Sequence, residues 1–105
     1  MAAWVIGAIQ KVNDEAGYAA YGAAAGATVA HYGGKRVAGG TKIEVADGTW
    51  SPSGMVVLEF ESLEKAKAWY NSPEYQAVIG QRFSTSDSNL LFVDGAQAGK
   101  IIASP

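Results

Sequence analysis

The sequence predicts an α+β fold of β-α-β-β-α-β order, the ferredoxin-like arrangement in which both helices cover one face of an antiparallel sheet. Three observations carry this. Residues Ala3–Val12 and Met55–Glu61 alternate as strands do and are apolar on both sides. Between them Tyr18, Tyr21, Ala25, Val29 and Tyr32 recur at helical spacing. A second helical stretch, broken at Ser72-Pro73, leads into a last apolar run, Asn89–Asp94.

In the first strand, Trp4, Ile6 and Ala8 share one face and Val5, Gly7 and Ile9 the other. A strand apolar on both faces is covered on both sides. Asn13 and Asp14 are alternative caps for the first helix, with Asp14 and Glu15 placing negative charge at its positive end. Gly22 and Gly26 lie one turn apart within it. Each costs about 1 kcal/mol relative to Ala, which predicts a helix face pressed tightly on the sheet. Gly33-Gly34 ends that helix. Lys35–Ala38 and Thr41–Ala46 read as one strand, with a bulge or bend at Gly39-Gly40. A loop from Asp47 to Gly54 follows, then the third strand with Val56, Leu58 and Phe60 on one face and Met55, Val57 and Glu59 on the other. Ser62 caps a short helix carrying Leu63, Ala66, Trp69 and Tyr70. Ser72 caps the next, with Pro73 at its first position and Tyr75, Val78, Ile79 and Arg82 along one face. Ser84–Ser88 reads as a polar loop.

One domain of 105 residues is expected, residues 1–95, with a tail from 96 to 105 whose Ile101-Ile102 pair would pack on a neighbour. Nineteen Ala and 13 Gly bury little area each, so the core must rest on the aromatic and aliphatic side chains. A chain this small leaves little room for a deep cavity of its own, so a sizeable site is expected to need a partner subunit. The outer face of the sheet also needs a cover, and a second copy placed sheet to sheet supplies one. A homodimer is the expectation.

The absence of Cys removes disulfides, thiolate nucleophiles and Cys-held metals, and is compatible with a cytoplasmic protein. One His excludes multi-His metal sites. A net charge of −2 with scattered Lys and Arg argues against nucleic acid as a partner. The uncharged stretch Ala16–Ala30 is too short and too rich in Ala and Gly to span a membrane. No cofactor fingerprint is present: Gly34–Thr41 lacks the Lys of a phosphate loop and runs from helix to strand.

The segments Tyr32-Gly33-Gly34-Lys35-Arg36, Gly39-Gly40, Val57-Leu58-Glu59-Phe60, Ala68 through Gln76, Arg82 and Val93-Asp94-Gly95 together resemble the domain-of-unknown-function 1330 family, within the dimeric α/β-barrel superfamily. The resemblance covers residues 3–95 and implies a ferredoxin-like protomer and a sheet-to-sheet dimer. Related barrels include cofactor-free monooxygenases, polyketide-modifying enzymes, haem-degrading enzymes and small-molecule binders. A basic residue that the family often carries before its third strand is replaced here by Ser53-Gly54.

Glu59 stands mid-strand among apolar neighbours, where a buried carboxyl suits general acid or base work, or pairs with Arg36 or Arg82. Arg82 is a candidate grip for a substrate carboxylate or enolate, or a helix cap. Arg36 has a similar ambiguity on the second strand, between a grip for an anion and a structural pair with Glu59. His31 is a candidate proton shuttle, a haem ligand as the related barrels imply, or a partner of terminal carbonyls. Tyr70, Tyr75 and Ser53 complete the ligand-binding candidates, the tyrosines being equally plausible core anchors. The expected function is a cofactor-independent enzyme acting by acid/base chemistry on a small apolar, aromatic or polyketide-like molecule. The alternative is a non-catalytic binding or structural dimer.

Overall fold

The computed structural model describes residues 1–97. Its strands are β1 (Ala3–Val12), β2 (Lys35–Gly40), β3 (Gly54–Phe60) and β4 (Ser86–Asp94), and its helices are α1 (Glu15–His31), α2 (Leu63–Tyr70), α3 (Pro73–Gln76) and α4 (Ile79–Thr85). The sheet order is β2-β3-β1-β4, every neighbouring pair is antiparallel, and the ferredoxin-like order is the one expected. Residues 98–105, and with them the expected packing of Ile101-Ile102, lie outside the described residues.

The helix starts follow the capping logic. The Asp14 carboxylate accepts from Gly17 N–H at 2.9 Å, and the Ser62 and Ser72 hydroxyls accept from Lys65 and Tyr75 N–H at 3.2 and 3.1 Å. Gly33, at φ 79°, closes α1. The core lies between α1–α3 and one face of the sheet, with Trp69 at its centre. Trp69 packs on Phe60 at 5.6 Å and Tyr75 at 4.3 Å between ring centroids, and its indole N–H donates to Thr28 Oγ1 at 2.9 Å. Truncation of such an anchor costs about 3–5 kcal/mol.

Four expectations change. Thr41–Ala46 is not a strand, because β2 stops at Gly40. The bulge sits at Val37, between the Arg36↔Leu58 and Ala38↔Val57 pairs, whereas Gly39 and Gly40 adopt φ of 140° and 133° that only glycine takes easily. The polar stretch Ser84–Ser88 finishes α4 and opens β4, since β4 pairs with the full length of β1 and the Ser86 hydroxyl is satisfied by Arg82 C=O at 2.8 Å. Gly22 and Gly26 are exposed and do not press on the sheet, for a Cβ at either would meet nothing within 4 Å.

The opposite face of the sheet carries no helix. Trp4 and Ile6 of β1 pair there with Val93 and Leu91 of β4, and Leu91 and Val93 are 49% and 41% exposed. No described helix is long and apolar enough to cross a membrane.

Candidate functional site

A cavity of about 390 Å³ opens between the sheet and α1. That volume falls in the range of small-molecule sites, so the single chain holds a cavity of its own, contrary to the expectation from its size. Its floor is apolar: Val5 and Ile9 of β1, Val56 and Leu58 of β3, Leu90 of β4. Its roof is α1, which turns the small residues Gly22, Ala25 and Gly26 toward it. The Gly and Ala content that weakens the core therefore leaves space where larger side chains would fill it.

Two guanidinium groups, Arg36 and Arg82, line the same cavity. Arg82 reaches it from α4 and is 6% exposed. Its Nη1 donates to Ser88 Oγ at 3.0 Å, and its Nε is buried with no hydrogen-bond partner among the described residues. No carboxylate of the described residues pairs with it. A guanidinium stays charged at any physiological pH. Burying it costs several kcal/mol, and one hydroxyl returns only about 1.5–3 kcal/mol. The Phe83 ring, 4.8 Å from the guanidinium carbon, is its other neighbour, and the imbalance singles out Arg82 among the residues that line the cavity. Arg36 is exposed, on the edge strand β2.

Tyr18 also lines the cavity, with its ring 5.6 Å from that of Tyr21. Burial pushes the Tyr18 phenol above its ordinary pKa, while the Arg82 and Arg36 charges pull the other way. It is a neutral proton donor at pH 7. Deeper in, the Tyr21 and Tyr75 hydroxyls meet at 2.8 Å, and burial together with that bond raises the Tyr21 pKa further.

Of the expected site residues, Arg82 and Arg36 come together on the cavity and the others do not. Glu59 points to the helix-free face, accepting from Trp4 Nε1 at 3.2 Å and facing Lys35 Nζ at 3.6 Å, so its partners are neither Arg36 nor Arg82. Alternation put it there: its neighbours Leu58 and Phe60 face the helices. His31 stands at the exposed end of α1, 3.7 Å from Glu74. Tyr75 is fully buried in the core, and Tyr70 packs edge-on against Phe92. The Ser53 hydroxyl donates to Ile9 C=O at 3.1 Å, which makes it a loop anchor. Tyr18 and Ser88 also line the cavity and were not among the expected residues. Tyr18 fell in the helical stripe and read as core, and Ser88 fell in the supposed loop.

Comparison with known proteins gives the following. A family model described as a domain of unknown function, DUF1330, matches residues 2–96. None of the curated proteins matches the chain. Among solved structures, a protein of unknown function from Rhodopseudomonas palustris is 19% identical, with 89% of this chain and 81% of that one covered and a TM-score of 0.72. SnoaB, a cofactor-independent oxygenase from Streptomyces nogalater, is 10% identical over 99% of this chain and 98% of its own, with a TM-score of 0.67. A dimeric ferredoxin-like protein of unknown function from Thermobifida fusca is 13% identical over 90% and 91%, with a TM-score of 0.56. At these identities the likeness is one of fold.

Proposed function

The chain belongs to the DUF1330 family, and from that premise we propose that it holds a small apolar, aromatic or polyketide-like anion in the cavity under α1 and acts on it without a cofactor. The buried Arg82 guanidinium, lacking a carboxylate among the described residues, carries this reading. A carboxylate, phenolate or enolate oxygen against it meets a preorganised charge, an arrangement that stabilises developing negative charge. Tyr18, protonated at neutral pH, supplies a proton to the same end of the ligand. The likeness in fold to a cofactor-independent oxygenase supports the cofactor-free part.

A non-catalytic binder is the second reading. It is favoured by one observation: the residues lining the cavity include no Asp, Glu or His, so no ordinary general base faces the ligand. Two measurements separate the cases. Calorimetric titration with 2-naphthoate and with its uncharged analogue 2-naphthamide tests the site, and binding of the acid but not the amide is expected. Equal binding of the two, or of neither, overturns the anion site. Deuterium uptake from D2O next to the ketone of an aryl β-keto acid, read by mass spectrometry, marks catalysis; binding without uptake leaves a binder.

The assembly belongs to the same reading. The apolar helix-free face suits a second copy of the chain, sheet against sheet, and the dimeric Thermobifida fusca protein of like fold supports it. Glu59, Lys35 and Trp4 would then lie at that interface.

A further inference from the structure

Gly22 and Gly26 stand in the middle of a seventeen-residue helix, where alanine is the stabilising choice. Glycine has three usual reasons to persist in such a place. A positive φ is one, and neither residue has it. A close neighbour is another, and a Cβ at either position would meet nothing within 4 Å. The third is that something outside the chain uses the space. Both residues line the cavity and are exposed, so they stand at its mouth, and Ala30 continues the row one turn on. The second, independent observation is Arg82, which lines the same cavity, is 6% exposed, and has a buried Nε without a hydrogen-bond partner among the described residues.

We infer that Gly22 and Gly26 determine specificity, holding the mouth wide enough for a fused-ring anion whose rings lie on the bare backbone of α1 while its charge meets Arg82. The inference rests on the anion-site reading and adds the ligand's size and the residues that select it. A single-ring acid fits between the floor residues and Ala25 without reaching the mouth. A ligand with two or more fused rings must pass along Gly22 and Gly26.

The test uses the full chain, benzoate and anthracene-2-carboxylate as probes, and two variants, Gly26→Leu and the double change Gly22→Ala with Gly26→Ala. Both introduce better helix formers into open space, so each variant should fold, with the double variant raising Tm by about 4 °C or more. Anthracene-2-carboxylate should bind Gly26→Leu at least tenfold more weakly than the parent, and the double variant several-fold more weakly. Benzoate affinity should stay within twofold in both. Unchanged anthracene-2-carboxylate affinity in a folded Gly26→Leu variant overturns the inference while leaving the anion site standing. Failure of the parent chain to bind either acid overturns the site and the inference together. Loss of the dimer in sedimentation, with both acids still bound as before, assigns the glycine row to a subunit contact and overturns it as well.

Discussion

Arg82 Nη1 donates to Ser88 Oγ at 3.0 Å, and this hydroxyl is the one side-chain hydrogen-bond partner the guanidinium has among the described residues. The Ser88 hydroxyl is tied in turn to Ser86 Oγ at 3.1 Å, so the start of β4 holds the arginine head against the cavity. A neutral shelf orients the charge without cancelling it.

The proposed binding role of Arg82 and its effect on stability can be measured apart. Arg82→Met removes a buried charge while keeping an unbranched side chain of moderate length, a replacement that is often neutral or stabilising. Urea unfolding is expected to show a change of no more than about 1 kcal/mol. Affinity for 2-naphthoate should fall at least tenfold in the same variant. A variant that loses several kcal/mol would make Arg82 a structural residue first.

The fold was legible because its signals are local. The Asp14, Ser62 and Ser72 caps and the alternation of Val56, Leu58 and Phe60 need only near neighbours to be read. The misreadings came where tertiary pairing overrode local chemistry: Ser86 and Ser88 look like loop residues, yet β1 supplies them with strand partners. The site was half legible. Arg82 and Arg36 stand out as charges on apolar elements, but which face of the sheet Glu59 would share with them depends on where the helices pack. The cavity itself was hidden, because empty space under Gly22 and Gly26 has no residue to announce it.

The Tyr21–Tyr75 pair predicts an alkaline limit. Burial and the 2.8 Å bond to Tyr75 raise the Tyr21 pKa above its ordinary value of 10.0. A phenol raised in the folded state contributes stability that is whole below the unfolded pKa and is lost as pH rises above it. Unfolding free energy should therefore decline from about pH 10 upward, more steeply in the parent chain than in Tyr21→Phe. At pH 7, Tyr21→Phe leaves the buried Tyr75 hydroxyl unpaired and should cost about 1–3 kcal/mol in urea unfolding. A parent and variant with the same pH slope would remove Tyr21 as the titrating group.

Glu59 and Leu91 test the helix-free face against the cavity. Glu59→Gln keeps an oxygen for Trp4 Nε1 and loses only the Lys35 pair, half open to water and worth less than about 1 kcal/mol. Its 2-naphthoate affinity should match the parent within twofold, since the carboxylate lies across the sheet from Arg82; a larger loss would bring Glu59 back into the site. Leu91→Glu places a charge at a position 49% exposed in the protomer, so the fold should persist. Sedimentation should show the parent as a dimer and Leu91→Glu as a folded monomer. A dimer that survives the charge would put the interface elsewhere.

Gly39 marks the opposite case from the helix glycines. Its φ of 140° disfavours any side chain, and a Cβ there would collide with Met55 C=O, in the backbone of the neighbouring strand. Neither obstacle can relax without breaking the end of the β2–β3 ladder, where Gly39 pairs with Val56. Gly39→Ala combines backbone strain of about 1–3 kcal/mol with that clash, so a loss of about 2 kcal/mol or more is expected in urea unfolding. Gly22→Ala, with open space and ordinary helical φ, should move the midpoint the other way. The pair of opposite signs distinguishes a glycine demanded by the backbone from one left open for a ligand. Destabilisation by Gly22→Ala of the same size as by Gly39→Ala would mean that α1 packs more tightly on the sheet than the cavity allows.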